Sequence, residues 1–144
     1  VGRTAFILEA PERLEHELQI DCTNMLTRLL LSTVQWTAVD HAHTLDPTIG
    51  RNGRPIGFLQ AQKRKARGVK PGICDYLFWH RGRGFAIELK RNAYEAEHPS
   101  DDQVEFMLGL KKAQVPIKIC WTIWQVHDTA NRWGLMIPHE VMAP

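Results

Sequence analysis

The sequence predicts a single α/β domain over residues 1–144, a mixed β-sheet flanked by α-helices. Three observations carry that expectation. A chain of 144 residues fits one domain, with enough length to bury a single core. Stretches with helical spacing of apolar residues are interspersed with short alternating or apolar runs bounded by Gly and Pro. No internal repeat, low-complexity tract or linker divides them.

A first helix is predicted over 11–31, with Pro11 in the first turn, where proline is tolerated. At about 100° per residue, Leu18, Cys22, Met25, Leu26 and Leu29 form one stripe. Glu15 falls on that stripe, one turn before Leu18, whereas Glu17 lies well off it. A carboxylate on a buried face is costly without a partner, so Glu15 is a candidate for inward-facing chemistry. Glu17 is its rival if the helix is rotated. A short strand over 34–39 and a Gly/Pro-rich loop through Pro55 follow. Next comes a basic helix over 56–67, stopped by Gly68 in a C-cap position.

After the Pro71-Gly72 turn, residues 74–79 read as a strand, 80–84 as a hairpin connection and 85–90 as the neighbouring strand. A loop then leads to Ser100, the N-cap of a helix running to Ala113. Val104, Met107, Leu108 and the stem of Lys111 supply its apolar spacing. A strand over 116–123 and a helix over 124–132 complete the chain.

Composition is that of an ordinary globular protein, with 44% hydrophobic and 24% charged residues. Apolar runs such as Leu29-Leu30-Leu31 are far too short to span a bilayer, and the first residues lack the pattern of a secretory signal. Cys22, Cys74 and Cys120 are odd in number, well separated and never spaced C-x-x-C. That disfavours a disulfide framework or a structural zinc site, and a reducing cytoplasmic setting is expected. The net charge of +2 is uninformative, but its distribution is not. Between Asp46 and Asp75 there is no acid, while Arg51, Arg54, Lys63, Arg64, Lys65, Arg67 and Lys70 all lie there. Such a run is either a solvated basic face or a grip on phosphate backbones.

The candidate chemistry lies between Gly68 and Gln103. Strand alternation puts Ala86, Glu88 and Lys90 on one face and Phe85, Ile87 and Leu89 on the other. Glu88 and Lys90 are then about 7 Å apart along the strand. If the preceding strand turns Asp75 toward them, two carboxylates and an ammonium converge, an oxygen-rich cluster of the kind that holds Mg²⁺ or Mn²⁺. Glu-x-Lys in a strand also occurs as a plain ion pair. Its place between the apolar Ile87 and Leu89 is what demands either mutual pairing or a metal.

The strings GVKPGICDYLFW, FAIELKR and SDDQVEFMLGLKKAQVPIKICW, in that order, resemble the VRR-NUC family of PD-(D/E)XK nucleases. Gly68, Val69, Gly72 and Asp75 match its turn and first strand, Glu88 and Lys90 its E-x-K strand, and Ser100 and Gln103 its helix start. Glu15, Leu18 and Gln19 match the upstream helix, so the resemblance runs from Glu15 to Trp121. One departure is visible: Cys74 stands where the family often has proline before the aspartate. Proline there shapes the backbone and does not react, so Cys74 is not read as a nucleophile.

The resemblance implies a restriction-endonuclease-like core and metal-dependent cleavage of DNA. Asp75, Glu88 and the Leu89 carbonyl would bind Mg²⁺ or Mn²⁺, with Lys90 as catalytic lysine. Glu15 would approach the metal or its waters, and Gln103 would line the site. Ser100-Asp101-Asp102-Gln103 is equally a capping box, a purely structural reading of Gln103. His41 and His43 are within the range of residues that could touch a scissile phosphate, or are incidental loop histidines. Small stand-alone relatives imply a homodimer acting on branched DNA, above all four-way (Holliday) junctions, in a bacterial cell or a phage-infected host. The alternatives are a flap or less selective nuclease, a sequence-reading restriction enzyme, and an inactive DNA-binding module of the same fold. Exposed aromatics such as Trp124 or Trp133 are candidate contributors to a dimer surface.

Overall fold

A computed structural model describes residues 11–40, 49–51, 53–54 and 56–140; His41 and His43 lie outside them. The helices are α1 (Pro11–Leu29), α2 (Ile56–Ala66), α3 (Ala93–Glu97), α4 (Asp101–Lys112) and α5 (Ile123–Arg132). The strands are β1 (Gln35–Ala38), β2 (Tyr76–His80), β3 (Arg83–Leu89) and β4 (Ile117–Cys120). They form a four-stranded mixed sheet in the order β1-β2-β3-β4. The first three strands pair antiparallel, and β4 joins β3 in parallel after the crossover through α3 and α4. Parallel neighbours need such a crossover, because no tight turn can connect them.

The core lies where α1 and α5 cover one face of the sheet. Cys22 and Leu26 of α1, Tyr76 and Phe78 of β2, Ile87 and Leu89 of β3, and Val126 and Ala130 of α5 are buried together. The Tyr76 hydroxyl fixes α1 on that face, donating to the Gln19 carbonyl at 2.8 Å and sharing a 2.7 Å bond with the Thr23 hydroxyl. The predicted α1 stripe is the one that packs: Cys22 and Leu26 are fully buried, and Leu18, Met25 and Leu29 border the core. The helix stops two residues earlier than predicted. The Leu31 amide is taken by the Leu135 carbonyl, and the backbone of Leu30 bridges to Met136.

Most other boundaries shift by one to three residues. The β2–β3 connection narrows to Arg81-Gly82, with φ of 50° and 76°, a tight turn whose twist matches that of the strands it joins. The Gly68 amide bonds the Lys65 carbonyl and the Val69 amide the Arg64 carbonyl, which closes α2 as the C-cap reading expected. Three expectations are corrected. The loop before Ser100 contains α3, started by the Asn92 side chain accepting from the Glu95 amide at 2.9 Å. The inward side of α4 is not the Val104–Leu108 stripe, for both are exposed; Gln103, Phe106, Met107 and Leu110 are the partly buried positions. Trp133 is likewise no exposed aromatic, since its ring lies 5.1 Å from that of Phe85. Trp124 is 42% exposed. No described helix is long and apolar enough to cross a membrane.

Candidate active site

Opposite the core, β3 turns Glu88 toward α4. The register pairs Tyr76 with Ile87, and one step further sets Asp75 against Glu88. Directly opposed residues of an antiparallel pair project to the same face with Cβ atoms about 4.5–5.5 Å apart. Asp75 precedes β2 and does not open it, yet its carbonyl still accepts from the Val39 amide at 2.8 Å, extending the β1 pairing. Its Oδ2 accepts from the Leu89 amide at 2.7 Å. The carboxylate thus takes the backbone donor that another strand residue would otherwise satisfy. Within a strand, N–H and C=O of one residue point to the same edge, so the Leu89 carbonyl shares the Asp75 side.

Lys90 and Gln103 complete the cluster. Lys90 Nζ lies 3.2 Å from Glu88 Oε1 and donates to Gln103 Oε1 at 2.8 Å. Gln103 Nε2 donates to the same Glu88 oxygen. Glu88 and Lys90 are both largely buried, with side chains 4% and 13% exposed. Desolvating an ion pair is expensive unless further hydrogen bonds support it, and Gln103 supports both ends. Its Oε1 also accepts from the Ser100 amide at 3.0 Å, while the Ser100 hydroxyl accepts from the Gln103 amide at 3.2 Å. The capping box and the site-lining role are therefore one arrangement: capping fixes the Gln103 side chain where it meets Glu88 and Lys90.

Gly72 explains how α4 comes so close. It has φ of +77°, and a Cβ built there would sit 2.3 Å from the backbone C and O of Asp102 and 2.6 Å from the Gln103 amide. The turn before Asp75 thus rests directly on the first turn of α4, a contact only glycine permits.

Cys74 is fully buried beside this cluster. Burial, with the nearby negative charge of Glu88 and Asp75, pushes its thiol up to about 12. It stays protonated and is no nucleophile. Arg91 and Glu95, which the sequence reading passed over, form an ion pair between Lys90 and α3. The Arg91 guanidinium holds the Glu95 carboxyl below its usual range. Asn92-x-x-Glu95 was the available signal, a helix N-cap pattern four residues long.

The structure places Glu15 half-buried in α1, one turn before Gln19, and Glu17 exposed, so the inward residue of that pair is Glu15. Gln19 touches Tyr76, the neighbour of Asp75, which puts that part of α1 near the Asp75 end of β2. Among the described residues no group of three or more acid, histidine or cysteine side chains is placed to hold a metal ion. Arg51, Arg54, Lys63, Arg64, Lys65, Arg67 and Lys70 are all exposed, and the Arg54 guanidinium lies 5.8 Å from the Phe58 ring centre. Lys70 is two residues before Gly72, so the basic segment leads straight into the cluster.

A hard divalent cation fits the donor chemistry. Asp75, Glu88 and the Leu89 carbonyl offer only oxygen, and one or two carboxylates with water and phosphate oxygens are the usual environment of Mg²⁺. Asp75 Oδ2 and Glu88 Oε1 each accept a hydrogen bond, and a carboxylate accepts at about four lone-pair positions in all. No family model matches the chain, and neither a curated protein nor a solved structure is similar to it at a significant level.

Replacing Gln103 separates its two roles. Gln103→Ala should lower stability by about 1 kcal/mol through the lost cap. If the cluster holds a cation, the same substitution should also weaken its binding about 10–100-fold, as loss of a residue orienting a metal-site group does. Ser100→Ala should cost similar stability and leave Mn²⁺ affinity near wild type. Thermal melts and Mn²⁺ titration of both variants check this.

Proposed function

We propose that the chain is a Mg²⁺- or Mn²⁺-dependent endodeoxyribonuclease with a restriction-endonuclease-like core. The observation that carries the reading is the joining of Glu88, Lys90 and Gln103 into one hydrogen-bonded unit across from Asp75. Asp75, Glu88 and the Leu89 carbonyl would hold the cation. Once bound, it supplies Lewis acidity toward a phosphodiester and neutralises charge that develops in the transition state.

The protein's own groups do the rest. Lys90 Nζ retains donor capacity beyond its bonds to Glu88 and Gln103, since an ammonium carries three N–H bonds. One of these can orient the attacking water or hydrogen-bond a phosphate oxygen as negative charge builds there. Gln103 keeps the ammonium from swinging away, which lowers the cost of reaching that geometry. The acid-free segment from Arg51 to Lys70 grips the flanking backbone, releasing counterions as it binds. Glu15 lies close enough in sequence to the Gln19–Tyr76 contact to approach the same end of the site.

Substrate geometry rests on the motif resemblance. Branched DNA, with the four-way junction foremost, is the substrate proposed, and a homodimer supplies two symmetric cuts because one site cuts one strand. Three free, buried cysteines fit a reducing cytoplasm.

The test is a cleavage panel of linear duplex, flap, splayed and four-way DNA at fixed salt, with Mg²⁺, Mn²⁺ or a chelator. Salt is held constant because phosphate-driven affinity varies steeply with it. Cleavage is expected with either metal, none with chelator, recovery on adding excess metal, and preference for the four-way junction. Band shifts without nicking at every metal concentration would leave a DNA-binding module and overturn the hydrolase. Equal cutting of duplex and junction would remove the structural selectivity.

A further inference from the structure

The other face of the sheet carries a cluster that the nuclease reading does not use. Between α1, α5 and the segment after Leu135 lies a cavity of about 300 Å³. Met25, Ile123 and Trp124 line its apolar wall, and His127, His139 and Glu140 also line it. His127 Nε2 and His139 Nε2 face each other at 2.6 Å, with the two rings nearly perpendicular.

The hydrogen bonds decide what those nitrogens present. His139 Nδ1 lies 2.6 Å from the Ile137 carbonyl oxygen, which can only accept, so Nδ1 carries the proton. In the neutral ring its Nε2 is then a lone pair aimed at His127. A backbone carbonyl holding the far nitrogen is the support that metal-ligating histidines generally have. Burial, and then the neighbouring His139, push the His127 imidazole down from its ordinary range, which favours its neutral form. The segment bearing His139 is anchored, since the Ile137 amide donates to the Leu29 carbonyl at 2.8 Å.

We propose that His127 and His139 form a second cation site, for a borderline transition metal of the Zn²⁺ class, which fastens the segment after Leu135 onto α5. Two converging imidazole nitrogens hold either one shared proton or one cation. Zn–N bonds of about 2.0–2.1 Å in tetrahedral geometry need nitrogens about 3.3 Å apart, so the rings part by less than about 1 Å. Nitrogen donors on an apolar wall select this class over Mg²⁺, which seeks oxygen and keeps its waters. No third ligand is preassembled among the described residues. Glu140, exposed and next to His139, is the nearest carboxylate on the cavity, and water completes the shell.

Calorimetric titration of the whole chain with Zn²⁺, in millimolar Mg²⁺ to occupy the carboxylate site, tests this. One equivalent of Zn²⁺ per chain is expected. His127→Gln and His139→Gln should each weaken binding at least about tenfold, while Asp75→Asn does not. His139→Gln lies on a half-buried position near the chain end, so circular dichroism can verify that it stays folded. Cu²⁺ bound in place of Zn²⁺ should show nitrogen coupling from two imidazoles in its electron paramagnetic resonance spectrum. Absence of Zn²⁺ binding, binding unchanged in both histidine variants, or binding lost only with Asp75→Asn would each overturn the site.

Discussion

Lys90→Ala is expected to cut DNA at least about 10²–10³-fold more slowly than wild type, the loss typical of removing one preorganised transition-state donor. DNA binding should stay within a few fold, because the exposed basic segment is untouched. The variant also loses stability. Taking away the ammonium leaves a carboxylate that is 3% exposed without its partner cation, and breaking such a pair costs about 3–5 kcal/mol. A slow variant could therefore be slow because it unfolds. The double variant Glu88→Gln/Lys90→Met resolves this, since replacing both charges by neutral groups of similar size should recover much of the stability and none of the activity. Single-turnover cleavage beside thermal melts reads both quantities. Undiminished cutting by folded Lys90→Ala would refute the assigned role.

Gly72→Ala has the second largest expected effect, and its cause lies away from the reacting groups. The new Cβ would stand 2.3 Å from the Asp102 carbonyl carbon and oxygen, so either the turn or the first turn of α4 must move. With φ of +77° disfavouring alanine as well, a loss of about 2–4 kcal/mol is expected. If α4 yields, Gln103 withdraws from Glu88 and Lys90, and a displacement near 1 Å is worth about 10²-fold in rate. Gly82→Ala is the control. It has φ of +76° but nothing within 4 Å of the added carbon, so only the backbone penalty of about 1–2 kcal/mol applies and cleavage should persist. Equal effects of the two substitutions on cleavage would show that contact with α4 is irrelevant to the site.

What the sequence made legible follows from periodicity. The period of two in β3 separates Glu88 from Ile87 and Leu89 without reference to anything distant, and the α1 stripe needs only the helical repeat. The cap at Ser100 is equally local. What escaped depends on tertiary contact. Val104 and Leu108 are as apolar as Phe106 and Leu110, and the rotation of α4 is decided by Gln103 meeting Glu88 and Lys90 across the sheet. Trp133 looked like a surface aromatic because its neighbours in sequence are polar, yet Phe85 from another element covers it. The facing of His127 and His139 has no local motif, being set by where the segment after Leu135 crosses α1. That Glu15 is less exposed than Glu17 was legible from the stripe, while its distance from Asp75 was not, since it depends on how α1 lies across β2.

Under the proposed function, Asp75, Glu88 and the Leu89 carbonyl share one divalent cation. Anomalous diffraction from Mn²⁺-soaked crystals measures this directly. The expected result is a manganese peak within coordination distance of both carboxylates and that carbonyl, absent in Asp75→Asn crystals. Manganese at saturating concentration bound only elsewhere on the protein, with Asp75 and Glu88 holding no ion, would contradict it.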